Sequence, residues 1–311
     1  MWLALARVLT IAAAAAGAAR SPDSGGQTWQ VDRFPSVLAA MEATLRDEQP
    51  IVVGIGEWHQ TSETEAIEST LHRFNEQVLP SLAPRMSHLI VETWMTSGKC
   101  GEVEAKVTQS LEHTIDRPAA TESDIERTLK GAHERGAAPR ILTLSCDDFR
   151  AMRGGTKSAG SGEGETSVDY DRTLRLTAGA LQNSVVFALR QRARGLPVAG
   201  FVPSSSRPWI FVYGGALHND VHPLPELQPY VYVPAVSLAT LGRYLELDLV
   251  VPEYAASSAL LRAQPWWPAY LKTTHTKRAP HGCDDSAIRI RRGPRAYAIV
   301  FPAAKACQGS R

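Results

Sequence analysis

Four ionisable side chains stand just beyond short apolar runs, and they are the residues best suited to chemistry. Glu57 and His59 follow the run 51–55, Glu92 follows 88–91, and His218 follows 209–213. In an open α/β sheet, ligands bind beyond the carboxyl ends of the strands. We therefore expect all four side chains to border one crevice. Imidazole and carboxylate groups placed together can perform general acid–base catalysis or bind a divalent metal.

Two glycines support this interpretation, because each stands three residues before a histidine. Gly56 precedes His59 and Gly215 precedes His218, which predicts a sharp turn of the backbone after each strand. A fourth strand end adds the carboxylates of Asp147 and Asp148. Other catalytic motifs are missing from the sequence. His59 holds the place of the third glycine of a dinucleotide-binding motif, and neither G-x-S-x-G nor H-E-x-x-H occurs.

The elements that must position these residues alternate along the chain. Short apolar runs predict strands at 51–55, 88–91, 141–144, 209–213, 230–233 and 245–251. Helical spacing predicts helices at 62–78, 102–112, 121–135 and 169–194. This order favours an α/β fold with a mostly parallel central sheet and crossover helices.

The end of the chain predicts an antiparallel hairpin. The alternating segments 287–291 and 296–301 are joined through Gly293 and Pro294, and we expect this C-terminal hairpin to be appended at the sheet edge. The Gly/Ser-rich stretch 153–166 is predicted to be a flexible loop within a single domain covering 21–311.

Composition sets the class of protein but no activity. The chain has 311 residues, of which 44% are hydrophobic, so a largely disordered protein is excluded. The 33 Lys and Arg residues nearly balance 32 Asp and Glu residues, which leaves no electrostatic footprint for nucleic acid.

The N-terminus has the pattern of a secretory signal peptide. Arg7 is followed by an uncharged, Ala-rich run at 8–19, with small residues at 16–18 that suit cleavage. We therefore predict a signal peptide at 1–20 and export to the periplasm or the outside. No membrane span is expected after cleavage, since the body of the chain has no long apolar stretch.

Export suggests that the four cysteines form disulfides, and they lack the CxxC spacing of a zinc site. Cys283 and Cys307 flank the predicted hairpin, which brings its ends together. Cys100 and Cys146 each follow a predicted buried strand, so they could meet at one edge of the sheet. We predict both pairs.

The order of these motifs resembles a known superfamily. Gly56-Glu57-Trp58-His59, then Glu92, then Gly215-Ala216-Leu217-His218 are similar to the erythromycin esterase, Tiki, TraB and ChaN haem-uptake proteins. The Glu-x-His spacing is most similar to the ChaN branch, and the resemblance covers 51–220. That family often carries an Arg on the helix before the last Gly-x-x-His strand. Here the segment 180–186 has none, and Arg172 and Arg175 lie a few turns earlier.

The resemblance implies a hydrolase as the first hypothesis. His59 or His218 would activate water, while Glu57 or Glu92 orients the imidazole. In a version with a divalent metal, His59, Glu92 and His218 would be the ligands. The substrate would be a small-molecule ester or lactone, or a peptide.

The alternative is a haem- or iron-binding protein without catalytic activity. His59 or His218 would then be the axial ligand, with Trp58 and Trp94 against the macrocycle. No C-x-x-C-H occurs, so covalent attachment of haem is not expected. A third hypothesis is a degenerate family member that is kept for its surface. In either active version, Ala at His59 or at His218 is expected to abolish function and leave the fold intact, since strand ends lie outside the core.

Overall fold

Eight strands form one sheet in the computed structural model, which describes residues 28–94, 98–115, 117–153, 168–194, 207–275 and 286–303. The strands are β1 Val31–Phe34, β2 Val52–Glu57, β3 Met86–Trp94, β4 Ala138–Leu142, β5 Trp209–Gly215, β6 Tyr244–Val250, β7 Ala287–Gly293 and β8 Ala296–Val300. Their order across the sheet is β1-β7-β8-β6-β2-β5-β3-β4. All pairs are parallel except those of β7 with β8 and with β1. The predicted mostly parallel α/β fold with a C-terminal antiparallel hairpin is confirmed.

Helices connect the strands on both sides of the sheet. In the described ranges they are α1 Val37–Glu48, α2 Thr70–Gln77, α3 Leu79–Leu82, α4 Glu102–Ile115, α5 Ala120–Glu134, α6 Cys146–Met152, α7 Tyr170–Ala193, α8 Ala216–Asn219, α9 Val233–Ala239, α10 Ala259–Arg262 and α11 Trp267–His275. Short 3₁₀ turns cover Ser62–Thr64, Ala83–Arg85, Pro225–Tyr230 and Pro252–Ala256. None of the helices in these ranges has both the length and the apolar character needed to cross a bilayer.

The central strands are buried on both faces, as expected for a parallel sheet covered by helices. Val53 and Ile55 of β2 pack on the side of α1 and α2, and we call this side the α1 face. Val52 of the same strand packs on the opposite side against α7 and α9, and we call this side the α7 face. Successive side chains of each strand therefore alternate between the two faces.

Two sequence predictions about single elements are wrong. The segment 230–233 is not a strand, because Pro229 and Pro234 flank it and proline cannot donate to a strand ladder. The segment 62–78 is not one helix either. Ser69 accepts a hydrogen bond from the backbone N–H of His72 and so starts α2 afresh, leaving only a 3₁₀ turn before it.

Two further predicted elements are present but lie at positions that differ from the prediction. The third predicted strand, 141–144, lies at Ala138–Leu142, because Ser145 already caps α6 through a capping box with Asp148. The C-terminal hairpin is not appended at the edge. Strand β8 pairs with β6 inside the sheet, and β1, which the sequence pattern did not reveal, covers β7.

The disulfide Cys100–Cys146 is present and confirms one predicted pair, with 5.2 Å between the Cα atoms. It joins the chain just before α4 to the first residue of α6. A small separate cluster that includes Val107 and Phe149 packs beside it. Cys283 and Cys307, the signal segment 1–20, and residues 154–166 of the predicted loop lie outside the described residues.

Candidate active site at the carboxyl ends of the strands

Glu57 is the last residue of β2 and points to the α1 face, like Ile55 two residues earlier. Tyr213 of β5 lies beside Ile55 on that face and donates its hydroxyl to Glu57 Oε2 at 2.5 Å. The ring of Phe74 packs against Tyr213 with 4.9 Å between centroids. These contacts hold the Glu57 carboxylate in one orientation at the end of the strand.

His59 completes the first pair of site residues. Its Nδ1 lies 2.7 Å from Glu57 Oε1, and its side chain is 32% exposed. Burial opposes ionisation of Glu57. The hydrogen bond from His59, the charges of His59 and Arg117, and the Tyr213 hydroxyl outweigh that burial, so the pKa of Glu57 is lowered. An ionised carboxylate only accepts hydrogen bonds. Nδ1 therefore carries a hydrogen, and Nε2 of this part-exposed side chain is left to accept a proton.

Arg117 is a site residue that sequence reasoning missed. It lies between α4 and α5, and one terminal guanidinium nitrogen stands 2.9 Å from His59 Nε2. Its Nε atom is buried and has no hydrogen-bond partner among the described residues. The only sequence signal would have been the expectation of an Arg before the last motif.

Glu57, His59 and Arg117 border a small cavity. It measures about 10 Å³, close to the smallest space that holds one water molecule. The rest of its lining consists of Gln60, Ser69, Leu71 and Thr121. A wider groove of about 660 Å³ lies along β1 at the edge of the sheet and borders none of these residues.

Glu92 and His218 form a second pair on the opposite face. Glu92 of β3 points to the α7 face and lies over Gly214, where a Cβ atom would come within 2.2 Å of its Oε2. That oxygen accepts the backbone N–H of Gly215 at 2.7 Å. His218 Nε2 stands 3.5 Å from Glu92 Oε1, and His218 Nδ1 lies 2.5 Å from the Tyr230 carbonyl.

The burial of His218 corrects the view that both histidines lie outside the core. Its side chain is 4% exposed, against 32% for His59. Because a carbonyl oxygen only accepts, Nδ1 of His218 carries a hydrogen and Nε2 faces Glu92. This histidine is fixed through Nδ1 and is enclosed by its surroundings.

The two pairs meet only at Gly215. A Cβ atom on that glycine would lie 3.0 Å from His59 Nε2 and 3.7 Å from Glu92 Oε2. The absence of a side chain at Gly215 thus lets both pairs border the same space. The predicted four-residue crevice is, in the structure, two Glu–His pairs that approach each other over one glycine.

The other charged residues singled out in the sequence lie on α6 and α7, away from the site. Asp148 caps α6, and Asp147 forms an ion pair with Arg150 on that helix. Arg175 pairs with Asp171 one helical turn away. Arg172 is exposed in the first turn of α7. None of these side chains borders the cavity at His59.

A metal ion does not fit the described residues. No three His, Cys, Asp or Glu side chains in that part of the chain are grouped to hold one. The Arg117 guanidinium already contacts His59 Nε2, the atom that a metal would need. A metal ion at Nε2 would be repelled by the Arg117 guanidinium, so the site chemistry is assigned to the side chains alone.

Comparison with protein-family models, curated proteins and solved structures finds no match to this chain.

Proposed function

We propose that the protein is an exported hydrolase in which Glu57 and His59 activate a water molecule against an ester, lactone or peptide carbonyl. One observation carries the proposal. The imidazole of His59 is held by a carboxylate at 2.7 Å on Nδ1, and this part-exposed side chain lines a water-sized cavity. This is the arrangement of a general base with its orienting group.

The reaction would proceed by proton transfer through His59. Water gives one proton to His59 Nε2 while its oxygen bonds to the carbonyl carbon, and the carbonyl oxygen takes the electron pair as an oxyanion. Collapse of this intermediate breaks the bond to the leaving group, which takes the proton back from His59. Glu57 stays ionised throughout and stabilises the imidazolium, as a carboxylate does in catalytic triads.

Arg117 would stabilise the oxyanion. One terminal nitrogen of its guanidinium lies 2.9 Å from Nε2 and 3.2 Å from Nδ1 of the His59 ring. A developing oxyanion is a stronger acceptor than imidazole. Attack would therefore draw Arg117 from His59 to the oxyanion and leave Nε2 free to accept the proton of water.

Two further observations are consistent with this proposal. The motif order resembles the esterase, Tiki, TraB and ChaN superfamily, in which hydrolases occur. The Cys100–Cys146 disulfide is typical of an oxidising compartment and supports export.

No described contact favours the haem alternative over hydrolysis. Arg117 contacts Nε2 of His59, and His218 is buried with Nδ1 bound to a backbone carbonyl and Nε2 facing Glu92. Trp58 and Trp94 are both packed against hydrophobic core clusters of the described chain.

The test is hydrolysis of an ester, lactone and peptide panel by the secreted protein after dialysis against a chelator. We compare wild type with His59→Ala and with the control His72→Ala. His72 is also a part-exposed histidine, with Asp124 at 3.2 Å and Arg127 nearby, but it lies on α2. Loss of about 10²-fold or more in His59→Ala alone is expected. Equal activity in both variants, or activity that requires added metal, would overturn the proposal.

A further inference from the structure

A second ionic cluster is buried beneath the strand end that carries Glu57. Glu246 and Asp248 of β6 both point to the α7 face and are 0% and 2% exposed. Arg292 of β7 reaches over them and forms an ion pair with each carboxylate. No step of the proposed hydrolysis uses these three residues.

The neighbouring strands leave room for the two carboxylates. Gly56 of β2 is in register with Asp248 on one side, and Ala296 and Ala298 of β8 are in register with Glu246 and Asp248 on the other. Gly54, in register with Glu246, leaves room for the Tyr244 hydroxyl. A Cβ atom on Gly56 would lie 2.2 Å from Asp248 Oδ1. The small residues therefore define a chamber that is shaped around the acidic side chains.

Hydrogen-bond donors in this chamber are too few for two ionised carboxylates. Glu246 accepts from Arg292 and, at 2.9 Å, from the backbone N–H of Val221. Asp248 accepts from Arg292 on Oδ2, but its Oδ1 is buried with no partner. A buried anionic oxygen without a donor is costly, whereas a neutral carboxyl is much less so.

The charges in the chamber are also unbalanced. Arg292 is the one cation whose charge acts on both carboxyls there, and Asp220, which follows α8, adds a further negative charge. The charge of Glu246 also contributes to the raised pKa of Tyr244 and of Tyr232, whose buried hydroxyls are neutral. With both acids ionised, the described groups of the chamber would carry a net negative charge in a buried site.

We propose that Glu246 and Asp248 form a buried proton-binding site, in which the pair retains one proton in the folded protein and Arg292 balances the other carboxylate. The unpartnered Oδ1 of Asp248 lies against Gly56, which precedes Glu57 in the chain. Loss of the proton therefore places an uncompensated charge beside the strand that carries Glu57.

The direction of the titration agrees with this geometry. Burial raises the pKa of Asp248 to about 6, although Arg292 opposes it and Asp220 adds to it. Burial likewise raises the pKa of Glu246, against the effect of Arg292. A carboxyl whose pKa is raised on folding binds its proton more tightly in the native state, so stability falls as pH rises above the unfolded pKa. Above the folded pKa the penalty is fully present.

The experiment measures the thermal midpoint of the secreted protein between about pH 5 and about pH 8. It compares wild type, Asp248→Asn and a control, Asp32→Asn, which removes the partner of Arg289 in a more exposed ion pair. We expect the midpoint of wild type to fall across this range by about 2–4 °C relative to Asp248→Asn. The control should keep the pH dependence of wild type.

An infrared difference spectrum between the two pH values provides a direct readout that needs no substrate. A carboxylic acid C=O band at the lower pH, present in wild type and absent in Asp248→Asn and in Glu246→Gln, is expected. An Asp248→Asn variant that is less stable than wild type by the same amount at every pH, with no acid band in wild type, would show two ionised carboxylates and overturn the proposal. Neither readout depends on the proposed hydrolysis.

Discussion

The two Glu–His pairs have the same residue types at neighbouring strand ends, yet their surroundings differ. His59 is part-exposed, contacts Glu57 at 2.7 Å and lines a cavity. His218 is buried, stands 3.5 Å from Glu92 and uses Nδ1 on a backbone carbonyl. Reactivity requires a nitrogen that substrate can reach, and only the first pair provides one. The second pair instead connects β3, β5 and the turn at Tyr230.

The pleat of the sheet explains this difference. Glu57 continues the odd positions of β2, which face α1, while Glu92 continues the even positions of β3, which face α7. Two carboxylates at equivalent strand ends therefore lie on opposite faces. Equivalent position along neighbouring strands brings residues to one edge, but the parity within each strand decides which face they share.

The sharpest test of this comparison replaces each carboxylate by its amide. In Glu57→Gln the uncharged amide has one acceptor oxygen for the two donors His59 Nδ1–H and Tyr213 O–H and no longer stabilises the imidazolium, so kcat should fall by about 10²–10⁴-fold. Glu92→Gln keeps a carbonyl oxygen for the Gly215 N–H and should change kcat by less than about tenfold. Steady-state kinetics on the best substrate of the panel measures both. Equal losses would mean that the two pairs act as one catalytic unit.

Arg117 distinguishes the pairs next, because it contacts His59 and not His218. Arg117→Met should lower kcat by about 10²-fold with a smaller change in KM, as expected for a group that stabilises the transition state. Arg117→Lys should restore part of the loss, since it keeps the charge but not the planar donor group.

The matched control is Arg127→Met, since Arg127 contacts His72 in a similar way. Its kcat should equal that of wild type. If Arg117→Met changes only KM, Arg117 binds substrate without stabilising the oxyanion, and the proposed role is wrong.

The free energy of unfolding should depend more on His218 than on His59, which is the reverse of the order expected for activity. His218→Ala leaves the Tyr230 carbonyl without the imidazole N–H, removes the contact of the ring with Glu92, and should lower the free energy of unfolding by about 2 kcal/mol. His59→Ala removes a part-exposed side chain and should change it by about 0.5 kcal/mol or less. Urea denaturation measures both values. Equal destabilisation would contradict the assignment of His218 as a structural group.

The sheet was predictable because its strands are strong local signals. The runs that became β2, β3 and β5 are short, apolar and rich in β-branched residues, which is typical of buried parallel strands. The segment 230–233 has the same composition but lies between two prolines, so local backbone limits overrode it. Strand β1 has no apolar run, since it pairs at the edge where one side is open.

The site was predictable at its strand ends and not beyond them. Glu57, His59, Glu92 and His218 stand at fixed distances from strands, so their shared edge followed from sequence order. Arg117 follows a helix and has no such signal. Its place beside His59 depends on how α4 and α5 pack, which no local pattern encodes. The burial of His218 was missed for the same reason, because the Tyr230 segment that covers it is not a strand.

The smallest expected effect is that of removing the Tyr213 hydroxyl, which contacts Glu57 and no residue of the Glu92–His218 pair. Tyr213→Phe removes one of the groups that lower the pKa of Glu57, so that pKa should rise. A carboxyl with a lowered pKa stabilises the fold above its unfolded pKa, and that stabilisation is lost as pH falls through the folded pKa. In Tyr213→Phe the acid limb of both kcat and stability should therefore move to higher pH, and the free energy of unfolding should fall by about 1 kcal/mol at neutral pH.

The control is Tyr297→Phe, which removes a similar hydrogen bond to Glu48 away from the site and should leave the kcat profile unchanged. An unshifted acid limb in Tyr213→Phe would mean that ionised Glu57 does not govern the activity of His59.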